Sequence, residues 1–213
     1  MAERHGGDGR SRATDDTGAG SASGRPPRAD ARRNRERVLK AAMEAFAADG
    51  LSVPVHEIAR RAGVGTGTVS RHFPTKEELY GAIVATVAHR LVEQANALAD
   101  NEKPGPAFFA FFALMVEEGA VNRGLSEALA GAGFDVEAAA SSADHDVMAA
   151  FATLLQRAQS AGAVRRDVDI VDVKALMIGC LARDAHPTGP DDRNRMIDVV
   201  CEGLHPKPHP QAT

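Results

Sequence analysis

Apolar positions recur at helical spacing along most of this chain, most clearly in VPVHEIARRAGVGTGTVSRHFPTK, residues 53–76. There Val55, Ile58, Ala59 and Ala62 fall at i, i+3, i+4 and i+7, the stripe of a helix packed on one side. Pro54 suits its first turn, where no N–H partner is needed. Gly63 offers the positive φ that ends a helix, Val64 turns back inward, and Val69 and Phe73 share the inner face of a second helix starting near Gly65 or Thr66. The pattern predicts a helix-turn-helix. Upstream, Leu39, Met43 and Phe46 mark a helix from about Asp30 or Ala31 to Asp49, with Gly50 as its stop. Downstream, Thr75 to Glu78 fits the T-x-x-E capping box after the extended His72-Phe73-Pro74 segment. Leu79, Ile83, Val87 and Leu91 then carry a stripe with no breaker before Pro104, so this helix runs some 24 residues, about 36 Å at ~1.5 Å per residue.

Beyond Pro104 the pattern stays helical. Phe108, Phe111, Phe112 and Met115 share one face of a segment from Lys103 to Asn122. A glycine-broken helix follows near Leu125–Ala130, then an alanine-rich helix from about Val136 or Asp144 to Ser160. Phe134, Met148, Phe151 and Met177 extend the same apolar set. Such a cluster either lines a cavity for an apolar ligand or fills a core, since both need the same side chains. Two further helices, near Ile170–Arg183 and Asp191–Leu204, have wide apolar faces and a short connection, as expected of antiparallel helices that pack against a second copy. Val173, Leu176, Cys180, Met196, Val199 and Val200 are the candidate interface.

Coherent helical periodicity with few β-rich stretches makes the expected fold class all-α. Residues 1–30 hold almost no large apolar side chain and are expected to be a disordered tail. Residues 31–77 form the helix-turn-helix domain, residues 78–204 a helical effector-binding and dimerisation domain, and residues 205–213 a flexible tail. At 44% hydrophobic residues, the chain of 213 can bury a sizeable core. It has no apolar run of the ~20 residues a membrane span needs, so a cytoplasmic location is expected.

Charge sharpens the picture. Residues 32–76 carry nine Lys/Arg against four Asp/Glu, a net of +5, whereas residues 77–213 carry eleven against twenty, a net of −9. A positive head draws phosphates while an acidic body discourages indiscriminate coating of DNA. The outward residues of the second helix are hydrogen-bonding or cationic, as base reading in a major groove requires. Candidate DNA contacts are Arg32, Arg33, Val53, Thr66, Gly67, Thr68, Ser70, Arg71, His72, Thr75 and Lys76. Lys76 also stands at a helix N-terminus, which favours a phosphate.

Several chemistries fall away. Gly63, Gly65 and Gly67 follow a helix rather than a strand, so GVGTG is no nucleotide loop. Asp144, His145 and Asp146 point about 100° apart on a helix and converge poorly on a metal. Cys180 and Cys201 sit in apolar helical patterns and read as reduced, buried thiols. No catalytic motif, cofactor loop or zinc spacing is present, which argues against an enzyme.

From AFAADG through IARRAGV, GTV and HFPTKEEL, spanning roughly Arg32 to Leu91, the chain resembles the tetracycline-repressor (TetR) family of bacterial one-component regulators. Gly65 departs from the serine that often caps that family's recognition helix, and Ser70 from the tyrosine that commonly touches the DNA backbone. The resemblance implies a backbone contact at Lys76 and a ligand cavity in the C-terminal domain. The expected function is a homodimeric regulator, foremost a repressor, released from double-stranded operator DNA by a small apolar effector. An effector-free DNA-binding protein and an all-α enzyme using the C-terminal cavity are the alternatives.

Overall fold

The structure, a computed structural model, describes residues 27–141, 146–184 and 192–206. Among these residues every regular element is a helix. The first, α1 (Pro27–Asp49), begins three or four residues earlier than expected. A proline costs nothing at a first helical turn, and Asp30 pairs with Arg33 within that turn. Gly50 stops the helix at φ 77°.

Next come α2 (Val55–Ala62) and α3 (Thr66–His72). Gly63 joins them in the left-handed region at φ 62°, ψ 39°, and the Val64 N–H donates back to the Ala59 carbonyl at 3.0 Å, closing the α2 end. Arg37 on α1 donates to the Gly63 carbonyl at 3.0 Å, pinning the turn to the brace helix. Glu57 accepts from both Arg60 and Arg61, and Arg61 reaches Asp49 at 2.6 Å, so a chain of ion pairs fastens α2 to the end of α1. Leu39, Phe46, Ile58, Val69 and Phe73 bury together beneath these helices.

The long α4 (Lys76–Asn101) opens on the expected cap, with Thr75 Oγ1 accepting from the Glu78 N–H at 3.2 Å. At 26 residues it is about 39 Å long at ~1.5 Å per residue. It joins two cores: Leu79, Tyr80, Ile83 and Val84 enter the one under the helix-turn-helix, and Ala88, Leu91 and Ala95 enter the other. The second core gathers α5 (Pro104–Val121), α8 (Val147–Ser160), α9 (Ile170–Asp184) and α10 (Asp192–Leu204).

Between α5 and α8 the chain makes α6 (Arg123–Gly131) and the short α7 (Val136–Ala140). The alanine-rich segment is thus two helices rather than one. Asp135 caps α7 by accepting from the Ala138 N–H at 2.8 Å, and Asp146 caps α8 by accepting from the Ala149 N–H at 2.9 Å. Asp146 therefore has a capping role, while Asp144 and His145 lie outside the described residues. Leu125 and Leu129 of α6 bury in the first core, although they lie far along the chain from the helix-turn-helix. The N-terminal end of α6 is tied the other way. Arg123 donates to the Leu181 carbonyl at 2.6 Å and to Asp184 at 3.1 Å on α9, and Asp184 also accepts from Nε and Nη2 of Arg193 on α10. None of the described helices is long and apolar enough to cross a membrane.

Candidate DNA interface and effector cavity

Val69 is fully buried against α1 and α2, which sets the roll of α3 and turns Thr66, Gly67, Ser70 and Arg71 outward. Thr68 and His72 are half-buried at the flanks. Val53, in contrast, is buried in the first core, because it packs where the α1–α2 connection folds back; it belongs to the support of the surface and not to the surface. Arg32 and Arg33 stand on the first turns of α1, paired with Glu36 and Asp30. Arg35 lies over the Phe73 ring at 5.4 Å, which adds a further cation beside the end of α3.

Thr75 and Lys76 both have work inside the fold. Thr75 caps α4, and the half-buried Lys76 donates its Nζ to the Leu51 carbonyl at 2.9 Å, bracing the start of α4 against the turn after α1. An ammonium has three donors, so two remain for a phosphate at the α4 N-terminus.

The phenylalanine cluster is a filled core. Phe108, Phe111, Phe112 and Phe151 are fully buried, and the Phe151 ring meets the other three at 5.4, 5.0 and 6.4 Å. Met177 buries in the same core. Phe134 turns to the opposite side, where its ring meets Tyr80 edge-on at 6.0 Å against the first core. Of the eight predicted ligand residues, Met115 and Met148 line open space. That space is a cavity of about 380 Å³ lined by α4, α6 and α7, with contributions from α5, α8 and α9. Its apolar wall includes Ile83, Val87, Leu91, Leu125 and Leu129, and its polar groups are Asn122, Ser126, Glu137, Ser141 and Lys174. Sequence reasoning missed these because α6 and α7 carry weak, short patterns. The one legible signal was the continued α4 stripe at Val87 and Leu91. A more open groove of about 600 Å³ between α1 and α4 is edged by Arg35, Glu36, Lys40, Glu44 and His89, a rim suited to solvent.

The α9–α10 face divides the predicted interface residues. Val173 and Cys180 are fully buried and Val200 nearly so, because they face the second core; Met196 is half-buried beside them. The outward apolar residues are Val171, Ile178 and Val199, each more than half exposed, together with Leu176. Burial raises the thiol pKa of both cysteines, that of Cys201 to about 11 with a further push from Asp198, so both stay protonated and poorly nucleophilic at neutral pH. The described residues hold no cluster of metal-ligating side chains.

Known proteins share this arrangement. Residues 38–83 match the model for bacterial regulatory proteins of the tetR family, and residues 103–206 match the C-terminal domain of SbtR-like transcriptional regulators. A TetR transcription regulatory protein from Mycobacterium vanbaalenii is 46% identical, superposing 84% of this chain on 99% of that one with a TM-score of 0.69. The chain belongs to the TetR family. A second TetR transcriptional regulator, from Streptomyces coelicolor, is 29% identical over 82% of this chain and 99% of its own, with a TM-score of 0.65. The HTH-type transcriptional regulator SrpR of Pseudomonas putida is 42% identical over 64 residues. That stretch is 30% of SrpR, so the match spans under a third of this curated relative. As a TetR-family transcriptional regulator, the protein carries its helix-turn-helix on α2 and α3 and a helical C-terminal domain behind it.

Proposed function

We propose that this TetR-family protein is a homodimeric, ligand-responsive repressor, released from its operator when a small, mainly apolar effector enters the cavity under α6 and α7. The observation that carries the reading is where the cavity lies. Ile83, Val84, Leu125 and Leu129 on its wall also belong to the core under the helix-turn-helix, while Ala88, Leu91 and Val147 belong to the other core. A ligand seated there touches both. If it binds one setting of α4 and α6 better than the other, it alters the spacing of two recognition helices across a dimer. Operator affinity then falls by the coupling energy, typically ~1–3 kcal/mol.

Thr66, Gly67, Ser70 and Arg71 supply the base-reading candidates, with Arg32, Arg33, Thr75 and Lys76 toward the backbone. The outward residues Val171, Leu176, Ile178 and Val199 supply the dimer surface, and the protein acts in the cytoplasm. A filled phenylalanine core is the feature that would favour an effector-free DNA-binding protein, and the open cavity beside it weighs the other way. The test is operator binding to the DNA upstream of its own coding region, followed by anisotropy. Sequence-selective binding that an apolar cell-extract fraction reverses supports the repressor; selective binding that no fraction reverses favours the effector-free alternative.

A further inference from the structure

Asn122 and Ser126 stand one helical turn apart at the start of α6, both on the cavity wall. The Asn122 amide nitrogen is committed, donating to the Glu118 carbonyl at 2.9 Å and to Glu118 Oε2 at 3.1 Å, and Glu118 is itself held by Arg90. This fixes the amide and leaves its Oδ1 as an acceptor. The Ser126 hydroxyl has no side-chain partner among the described residues. Together they offer an acceptor and a hydroxyl that both gives and takes, in a cavity whose wall is mostly apolar. Among the described residues the charged groups bordering the cavity, Lys174 and Glu137, are paired with each other, and their side chains are 37% and 77% exposed. That pair sits at the solvent side of the cavity.

From this we infer that the effector is an uncharged molecule with an apolar body and a single hydroxyl or primary amide head, bound head-first to Asn122 and Ser126. The inference rests on the cavity being the effector site. A head group of this kind donates to Asn122 Oδ1 and accepts from the Ser126 hydroxyl, while its body lies along Val87, Leu91 and Met115. A charged head gains nothing comparable. At the mouth, a carboxylate or ammonium only exchanges one exposed ion pair for another; farther in, it loses its water without a partner of opposite charge. The volume, about 380 Å³, lies at the small end of the ~300–1,000 Å³ common for ligand sites, which suits a medium-length chain or a compact ring system.

The test uses the full-length protein and the neutral fluorophore N-phenylnaphthylamine, displaced in turn by decanol, decanoate, decylammonium and decane. Decanol is expected to displace it at a concentration at least ~10-fold lower than either charged partner of equal length. Ser126→Ala is expected to weaken decanol about fivefold and leave decane unchanged. Equal potency of decanoate, or a Ser126→Ala change that moves decanol and decane alike, overturns the assignment of the head group. Ser126→Trp and, on α5, Met115→Trp fill the cavity and are expected to abolish fluorophore binding while the helical signal in circular dichroism is kept. If both filled variants bind the fluorophore as the parent does, or the parent does not bind it, the cavity is not the ligand site and the reading beneath the inference fails with it. If the filled variants lose the fluorophore and decanoate still outcompetes decanol, the cavity stands and only the ligand class falls.

Discussion

Gly63 is where a single residue decides most. Its φ of 62° is one that a side chain adopts only under strain, and a Cβ there would meet Arg37 Nη2 at 2.5 Å, the same nitrogen that donates to the Gly63 carbonyl. Gly63→Ala should therefore lower stability by ~1–2 kcal/mol, read as a drop in melting temperature, and should weaken operator binding further because the turn between α2 and α3 shifts. Glu57 makes a prediction in pH. Hydrogen bonds from Arg60, then Arg61, hold its carboxyl at about 2, below the usual 4.5. A carboxyl depressed in the folded state stabilises fully above its unfolded pKa and loses that contribution as pH falls toward its folded one. The melting-temperature gap between the parent and Glu57→Gln should thus be constant from neutral pH to about 4.5 and narrow progressively as pH falls toward 2. A gap that widens on acidification would place the charge elsewhere.

Among elements, α3 and α9 each present one face to the core and one outward, and substitutions on the two faces should differ in kind. On α3, Arg71→Ala should relax discrimination among operator variants by ~1–3 kcal/mol, whereas Lys76→Ala at the neighbouring α4 start should weaken all DNA alike and lower the salt slope by about one. Because Lys76 also binds the Leu51 carbonyl, that second variant should melt lower as well, which Arg71→Ala should not. On α9 and α10, Ile178→Asp and Val199→Asp should yield folded monomers by light scattering, since both side chains already face solvent in the protomer. A charge at the buried Cys180 or Val200 should unfold the protein instead of merely separating it.

Over the whole molecule, the two cores are distinct in composition but mechanically continuous. α4 runs through both, and α6 is buried in the first while Arg123 at its start is bonded to α9 of the second. Tyr80, the single tyrosine in a chain without tryptophan, lies in the first core against Phe46 and Phe134. Its fluorescence reports that core alone, whereas far-ultraviolet circular dichroism reports all the helices. Urea unfolding followed by the two signals should give coincident transitions, because neither core keeps its α4 segment when the other melts. A separate, earlier tyrosine transition would mean that the reading head unfolds by itself and that the cavity has no rigid connection to it.

The all-helical class, the helix-turn-helix with its Gly63 turn and the Thr75 cap were legible in the residues alone, because each rests on local geometry: spacing along a helix, a positive φ, a side chain reaching its own backbone; the family was legible only through the resemblance of its motifs from AFAADG to HFPTKEEL. The site was legible only in part. Phe108, Phe111, Phe112 and Phe151 share the chemistry of a cavity wall and of a packed core, and only the approach of α8 to α5 decided that their rings fill the space between. Nothing along the chain revealed that α6 crosses to the first core, that Phe134 follows it, or that Val173, Cys180 and Val200 turn inward while Val171 and Ile178 turn out. Periodicity assigns an apolar face to a helix; which neighbour covers that face, and where two neighbours fail to meet and leave a cavity, depends on how non-adjacent helices pack.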